Sequence, residues 1–343
     1  MGVPAVFERG GREEAEMGKA VLVTGAGGFI GSHLTERLVR LGHQVRALVR
    51  YNGRDDRGWL DDLPKDVLAE IEVHRGDLKD PDAVNRAMEG RQQVFHLGAL
   101  IAIPYSYQNP YDVVQTNVNG TAHVLDACRR SKGLERVVLT STSEVYGTAQ
   151  YVPIDEKHPL RGQSPYAATK IASDALGESY FRSFGTPVSV LRPFNTFGPR
   201  QSARAIIPTI ISQALTRPVV KLGRLDPRRD LTYVKDTAEA FVAIASCEAA
   251  VGRVVNVGRG SDVTIGELVE RIGTILGRPI EVETESDRVR PSASEVERLQ
   301  AGTALAQSLW KWRPRYSLDE GLAETVAWIR EHPDRFRPDE YTT

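Results

Sequence analysis

Ala20 to Val23 is a short apolar strand that runs straight into Thr24-Gly25-Ala26-Gly27-Gly28-Phe29-Ile30-Gly31-Ser32-His33-Leu34, and helical spacing then continues to Leu41 before a stop at Gly42. A strand, a glycine-rich turn and a helix in immediate succession leave few folds open. Gly25 lets the chain turn sharply off the strand, Gly28 removes the Cβ that would block a pyrophosphate, and Gly31 lets the helix pack closely. The amino end of the helix, at Phe29 and Ile30, then faces the phosphates. The spacing is GxxGxxG, which by itself also serves packing; set between a strand and a helix it marks a dinucleotide site.

Gln44 to Val49 reads as a second strand, and the residue at its end is the one that meets the adenosine ribose of a dinucleotide. Arg50 stands there instead of Asp or Glu. A carboxylate would accept from a free 2′-hydroxyl, whereas a guanidinium suits a 2′-phosphate. Arg50 thus favours NADP while leaving NAD open, the alternative being a solvated loop arginine. Ile71 to Arg75 is a third strand ending in Gly76-Asp77-Leu78, where Asp77 and an apolar lid from Leu78 suit an adenine and a simple turn explains the pair equally well. Pro81 to Met88 is a helix with Gly90 after it, and Gln93 to His96 a fourth strand. Small residues in Leu97-Gly98-Ala99 let backbone approach a cofactor, which adds Leu97 and Ala99 to the candidates, while His96 reads as a core residue. This alternation predicts an α/β fold, a Rossmann-type doubly wound parallel sheet over residues 19–198 with later segments interleaved. A smaller C-terminal substrate-binding lobe is expected over residues 199–343.

The run from Val137 is apolar and β-branched, and it breaks at its carboxyl end into Thr140-Ser141-Thr142-Ser143-Glu144-Val145-Tyr146-Gly147. Open α/β sheets bind ligands at that end of a strand. Beyond a loop, Pro165 suits the first turn of a helix, which places Tyr166 and Lys170 four residues apart on one face. The ammonium is expected to favour phenolate and lower the Tyr166 pKa, so that the phenol can accept an alcohol proton. An isolated YxxxK arises often by chance; the hydroxyl and carboxylate cluster upstream and the glycine turn give this one its context.

Asn117 to Arg130 has helical spacing, and with the helix from Pro165 to Phe184 it offers faces for a homodimer or simply covers the sheet. After a sixth strand, Pro187 to Leu191, comes Arg192-Pro193-Phe194-Asn195-Thr196-Phe197-Gly198-Pro199-Arg200-Gln201, in which Asn195 offers donor and acceptor to a sugar and Arg200 a fork to an anion. Val219 to Gly223 is a strand, and Arg228-Arg229-Asp230 leads through Tyr233 and Asp236 into an amphipathic helix. With Lys plus Arg at 44 against Asp plus Glu at 45, the chain gives no general reason to expect nucleic acid or a membrane surface as partner. Arg228, Arg229, Arg288 and Arg290 therefore stand out locally as a diphosphate clamp, with solvated surface arginine as the alternative. Two cysteines make no disulfide framework and seven histidines show no close metal-ligand spacing, so no metal is expected and a reducing cytoplasm fits. Residues 1–18, rich in Glu, Gly and Arg without periodicity, are expected to be a mobile extension.

Taken together, Gly25, Gly28 and Gly31, the Asp77-Leu78 pair, Ser141 to Gly147, Tyr166 and Lys170, the RPxNxxGPRQ run and RDxxYVxD at Arg229 to Asp236 resemble the extended short-chain dehydrogenase/reductase family. Within it they look like nucleotide-sugar 4,6-dehydratases. Stretches such as Ala102 to Tyr107 and Tyr146 to Glu156 are similar to the NDP-N-acetylglucosamine 4,6-dehydratases of legionaminic-type pathways. The resemblance implies a tightly bound, recycled NADP or NAD and a nucleotide-diphosphate sugar as substrate. It implies that Tyr166 takes the proton of the 4-hydroxyl as hydride leaves C4, that Thr142 orients that hydroxyl, and that Lys170 binds the nicotinamide ribose. Glu144 would then remove the C5 proton as water leaves C6, with Ser143, Asn195, Arg200, Arg229 and Arg290 on the substrate. One departure matters: dTDP-glucose 4,6-dehydratases carry Asp where Ser143 stands, as the acid for the departing hydroxyl. UDP-glucuronate decarboxylases share the Thr-Ser-Glu-Val-Tyr-Gly run, so a decarboxylase or a 4-epimerase is the alternative, and a non-catalytic cofactor sensor a remote one.

Overall fold

The structure is a computed structural model that describes residues 18–285 and 296–337. The expected N-terminal extension lies outside them apart from Gly18. Strands and helices alternate along the first half: β1 (Ala20–Thr24), α1 (Phe29–Arg40), β2 (Gln44–Val49), α2 (Lys65–Ala69), β3 (Ile71–Arg75), α3 (Pro81–Met88) and β4 (Gln93–His96). Then come α4 (Ile103–Gln108), α5 (Pro110–Val114), α6 (Gly120–Arg130), β5 (Arg136–Thr140), α7 (Pro165–Phe184) and β6 (Val188–Pro193). The second half holds β7 (Thr196–Phe197), α8 (Ile206–Thr216), β8 (Val219–Leu222), β9 (Arg228–Arg229), β10 (Thr232–Tyr233), α9 (Val234–Ser246) and β11 (Val254–Val257). It ends in β12 (Val263–Thr264), α10 (Ile265–Leu276), β13 (Glu281–Thr284), β14 (Arg298–Leu299), α11 (Ala304–Trp310) and α12 (Leu318–Glu331).

Seven strands form one sheet in the order β11-β6-β5-β4-β1-β2-β3, and every pairing in it is parallel. A parallel sheet is covered by helices on both faces, which is why its strands read as near-continuous apolar runs. One core, with Phe95, Val138, Leu191, Phe241 and Ile244, lies on the face of α1 and α9. The other, with Leu22, Val94, Leu125, Leu139 and Val190, lies under α3, α6 and α7. From β1 the chain moves outward through β2 and β3, then crosses back to place β4 on the other side of β1. Ligands of such sheets bind at that reversal, beyond the carboxyl ends of the strands.

After β6 the chain leaves the sheet and returns to it: α9 packs on α1 and β11 closes the sheet beside β6. The excursion before β11 and the segments after it make a separate core from Ile207, Ile210, Leu268, Ile272, Leu322 and Val326. Two elements depart from the sequence reading. The helix expected from Asn117 begins as one π-helical turn, Gln115–Asn119, and becomes α-helical only at Gly120. Within that turn the Asn117 side chain pairs with both backbone groups of Leu100 while its carbonyl receives the hydroxyls of Thr121 and Ser173. The helix expected beyond Asp236 starts earlier, at Val234, and puts Asp236 in its first turn, where the carboxylate accepts from the amides of Arg315 and Tyr316. Among the described residues no helix is long and apolar enough to cross a membrane.

Candidate active site

The glycine turn joins β1 to α1 at the reversal point. Gly25 has φ +70°, and a Cβ on it would lie 2.7 Å from the Gly98 nitrogen. At Gly31 the conflict is with the turn: a Cβ would come within 2.1 Å of the Gly25 carbonyl oxygen. Gly28 differs from both, since its Cβ would meet only that same oxygen, at 3.1 Å. Folding therefore demands Gly25 and Gly31, whereas the space at Gly28 is kept for something else. Gly28 caps α1 without a side-chain bond, and the first turn holds no acidic residue. Free amides and the positive helix end suit an anion. The side chains of Phe29 and Ile30 turn into the lobe's core, so what they present there is backbone.

Beyond the turn opens a cleft of about 350 Å³, lined by Gly25, Gly28, Arg50, Asp77, Leu78, Gly98, Ala99 and neighbours. These residues fit a dinucleotide. Asp77 and Leu78 stand at the end of β3 as expected. The Arg50 guanidinium is largely exposed, with Nε 3.8 Å from an Asp77 oxygen. Leu97 departs from expectation: it packs into the core below the turn, and the wall is made by Gly98 and Ala99. The sequence reading missed the loop after β2, in which Asn52, Asp56 and Arg57 line the cleft and the Trp59 amide donates to the Gly27 carbonyl at 2.9 Å. Its only signal was a run of turn formers. His96 is a core residue, between the Thr24 and Thr121 hydroxyls at 2.7 and 3.0 Å, and burial lowers its pKa to about 3.

The strand end of β5, next to β4 in the sheet, meets the start of α7, and Thr142, Glu144, Tyr166 and Lys170 are not among the residues that line the cleft. Ser164 caps α7 by accepting from the Ala167 amide at 3.1 Å, which puts Tyr166 and Lys170 on the face turned to β5. The Tyr166 hydroxyl shares a hydrogen bond with Thr142 and feels the charge of Glu144. Lys170 donates to the Thr140 carbonyl. Thr142 and Glu144 are half-buried whereas Ser143 between them is buried, so the first and third residues reach the open face. The expected depression of the Tyr166 pKa is not found. Burial pushes the phenol up, and the Glu144 and Asp174 charges add to this, while the Thr142 bond pulls it down. Lys170 is itself buried and turned to a carbonyl, and burial pulls its pKa down.

The Asn195 side-chain oxygen is buried without a hydrogen-bond partner. Arg229 is buried on β9, its Nη1 donating to the Arg228 carbonyl at 3.0 Å. Arg200 is not the open fork expected: Nη2 donates to Glu36 at 3.0 Å, which ties it to α1. Arg228 is likewise engaged, by Asp262 at 3.0 Å, and Asp262 also holds Arg298. Arg288 and Arg290 lie outside the described residues. Arg228 and Arg298 are thus both held by one carboxylate that no local motif announced.

Residues 22–325 match the family model described as GDP-mannose 4,6 dehydratase. The chain is 34% identical to a UDP-glucose 4-epimerase of Mycolicibacterium smegmatis, over 90% of this chain and 98% of that protein. It is 33% identical to a dTDP-glucose 4,6-dehydratase of Streptomyces griseus, over 93% of this chain and 96% of that one. Among solved structures it resembles the NAD-dependent NDP-hexosamine 5,6-dehydratase TunA, with a TM-score of 0.80 and 28% identity over 94% of this chain and 100% of that chain. Dehydratase and epimerase stand at similar identity, 33% and 34%, and what their names share is a nucleotide sugar. The chain belongs to the extended short-chain dehydrogenase/reductase family of nucleotide-sugar enzymes, the one that the GDP-mannose 4,6 dehydratase model describes.

Proposed function

We propose that the protein is a nucleotide-sugar 4,6-dehydratase that converts an NDP-N-acetylglucosamine to the 4-keto-6-deoxy sugar. The observation that carries this is one carboxylate, Glu144, half-buried at the same strand end as the hydrogen-bonded Thr142 and Tyr166. An epimerase needs no base at C5; a dehydratase does. When bound, NAD(P) supplies the hydride acceptor and, later, the donor. The chain does the rest. Tyr166, which must first lose its own proton against the effect of burial, takes the proton of the 4-hydroxyl, which Thr142 orients, and Lys170 holds a ribose hydroxyl beside it. The 4-ketone acidifies C5, Glu144 takes that proton, and hydroxide leaves C6. With Ser143 where an acid would otherwise stand, Glu144 passes the same proton to the leaving oxygen, so one water departs; the hydride first taken from C4 is returned to C6 and C5 regains a proton from solvent. Asn195 and Arg229, with Arg290, take the sugar and diphosphate.

Two finer points belong to this reading. NADP is preferred over NAD, supported by the exposed guanidinium of Arg50 at the rim of the cleft. The working unit is a homodimer, supported by the exposure of Tyr107, Tyr111, Val114 and Phe184 on α4, α5 and α7. Incubation with a panel of nucleotide sugars, read by mass spectrometry, tests the function: an N-acetylglucosamine nucleotide losing one water supports it, and a uronate losing carbon dioxide replaces it with the decarboxylase.

A further inference from the structure

Behind the segment that carries Thr142 and Glu144 lies a buried polar chain that the reaction itself does not use. Asp174 stands one helical turn beyond Lys170, and its Oδ2 accepts from Ser141 Oγ at 2.7 Å and from Arg192 Nε and Nη2 at 3.0 and 2.8 Å. Both members of this ion pair are shut off from water. Arg192, on β6, also donates through Nη1 to the Tyr146 hydroxyl at 2.8 Å and lies over the Tyr146 ring. That hydroxyl donates in turn to Asn256 Oδ1 on β11, and Asn256 is held by the Ile154 carbonyl and the Glu156 carboxylate.

A buried ion pair is a poor way to gain stability, because apolar residues of the same volume do as well or better. Its geometry is the informative part. Ser141 immediately precedes Thr142, and Tyr146 follows Glu144 by two residues. The pair thus grips the segment at both ends, while Asp174 also offsets the burial of the Lys170 ammonium. We propose that Asp174 and Arg192 form a clamp that positions Thr142 through Ser141 and Glu144 through Tyr146, so that oxidation at C4 and elimination at C5 and C6 are aligned by separate arms. All four are positioning residues, and the division of labour rests on the dehydratase reading.

Ser141→Ala and Tyr146→Phe each remove one hydroxyl and keep the side chain's shape. Holoenzyme variants are mixed with the nucleotide sugar that turns over, and two rates are read: cofactor reduction by absorbance and deuterium uptake at C5 in deuterated water. The clamp predicts that Ser141→Ala slows cofactor reduction at least tenfold. It predicts that Tyr146→Phe slows C5 exchange at least tenfold more than cofactor reduction, with melting temperatures recorded for both. Equal slowing of both steps in both variants, or wild-type rates in both, overturns it. Should Tyr146→Phe not fold, Ser141→Ala decides alone. If the wild-type protein reduces its cofactor but never exchanges C5, the dehydratase reading fails, and the clamp is then judged on the Ser141→Ala reduction rate, where loss supports it and parity sinks it.

Discussion

Gly31 and Gly28 stand three residues apart in one motif, yet the structure assigns them different work, and one pair of substitutions separates the two. A Cβ at Gly31 lies 2.1 Å from the Gly25 oxygen, 2.9 Å from its carbonyl carbon and 3.0 Å from the Ala26 Cα. These are atoms of the turn, with no rotamer to move to. Overpacking of side chains costs about 1–3 kcal/mol, and a clash with backbone belongs at or above the top of that range. At ~2 °C per kcal/mol for a large domain, Gly31→Ala should lower the melting temperature of the cofactor-free protein by about 6 °C or more. Gly28→Ala meets one atom at 3.1 Å, with φ of -80° that any residue adopts. It should cost under about 1 kcal/mol, the difference of a poorer helix cap. Its Cβ enters the cleft, however, so NAD and NADP should each bind at least tenfold more weakly, about 1.4 kcal/mol. Thermal unfolding of the stripped proteins and cofactor titration give both quantities. Wild-type melting in Gly31→Ala, or wild-type cofactor affinity in Gly28→Ala, would refute the reasoning.

Tyr166→Phe should abolish turnover and leave cofactor binding nearly intact, because it removes the proton acceptor and little volume; residual activity within tenfold of wild type contradicts the assignment. Arg50→Asp should reverse a preference for NADP into one for NAD, measured as a ratio of dissociation constants, and equal affinities in the parent would show that Arg50 serves neither. Burial lowers the pKa of His33 and of His96 from 6.5 to about 3, so the folded state binds their protons more weakly than the unfolded chain. The stability they contribute is present above pH 6.5 and is lost as pH falls towards 3, by about 2 kcal/mol for each at pH 5. Denaturant melts between pH 7 and 5 should show this, with a shallower fall in His33→Gln, and an unchanged slope in that variant would count against it.

What the sequence made legible is what local pattern encodes. Strands β2, β3 and β4 and the helix from Pro165 to Phe184 stand where their apolar runs, prolines and glycines placed them. The glycine turn, Tyr166 and Lys170 form a motif because one short element presents them together. The rest depends on partners far along the chain. Arg200 reads as a free fork until Glu36 is beside it, 164 residues away. Arg228 and Arg298 converge on Asp262 for the same kind of reason. The phenol of Tyr166 was expected to feel Lys170 by helical spacing, but burial outweighs any such effect. No spacing rule reports burial at one atom. Asn117 was hidden because its side chain holds Leu100, 17 residues away, from within a π-turn that periodicity cannot announce.

The central claim is that Glu144 is the base that sets elimination in motion after Tyr166 has started the oxidation. The most direct test is to run the reaction on a nucleotide-linked N-acetylglucosamine in deuterated water with the wild-type protein and Glu144→Gln. The wild type should give a 4-keto-6-deoxy product carrying one deuterium at C5 with no net consumption of cofactor, and the variant should still let the sugar reduce the cofactor yet release no water. A product of unchanged mass with inverted C4, or carbon dioxide from a nucleotide-linked uronate and no reaction on the neutral sugar, would contradict the account.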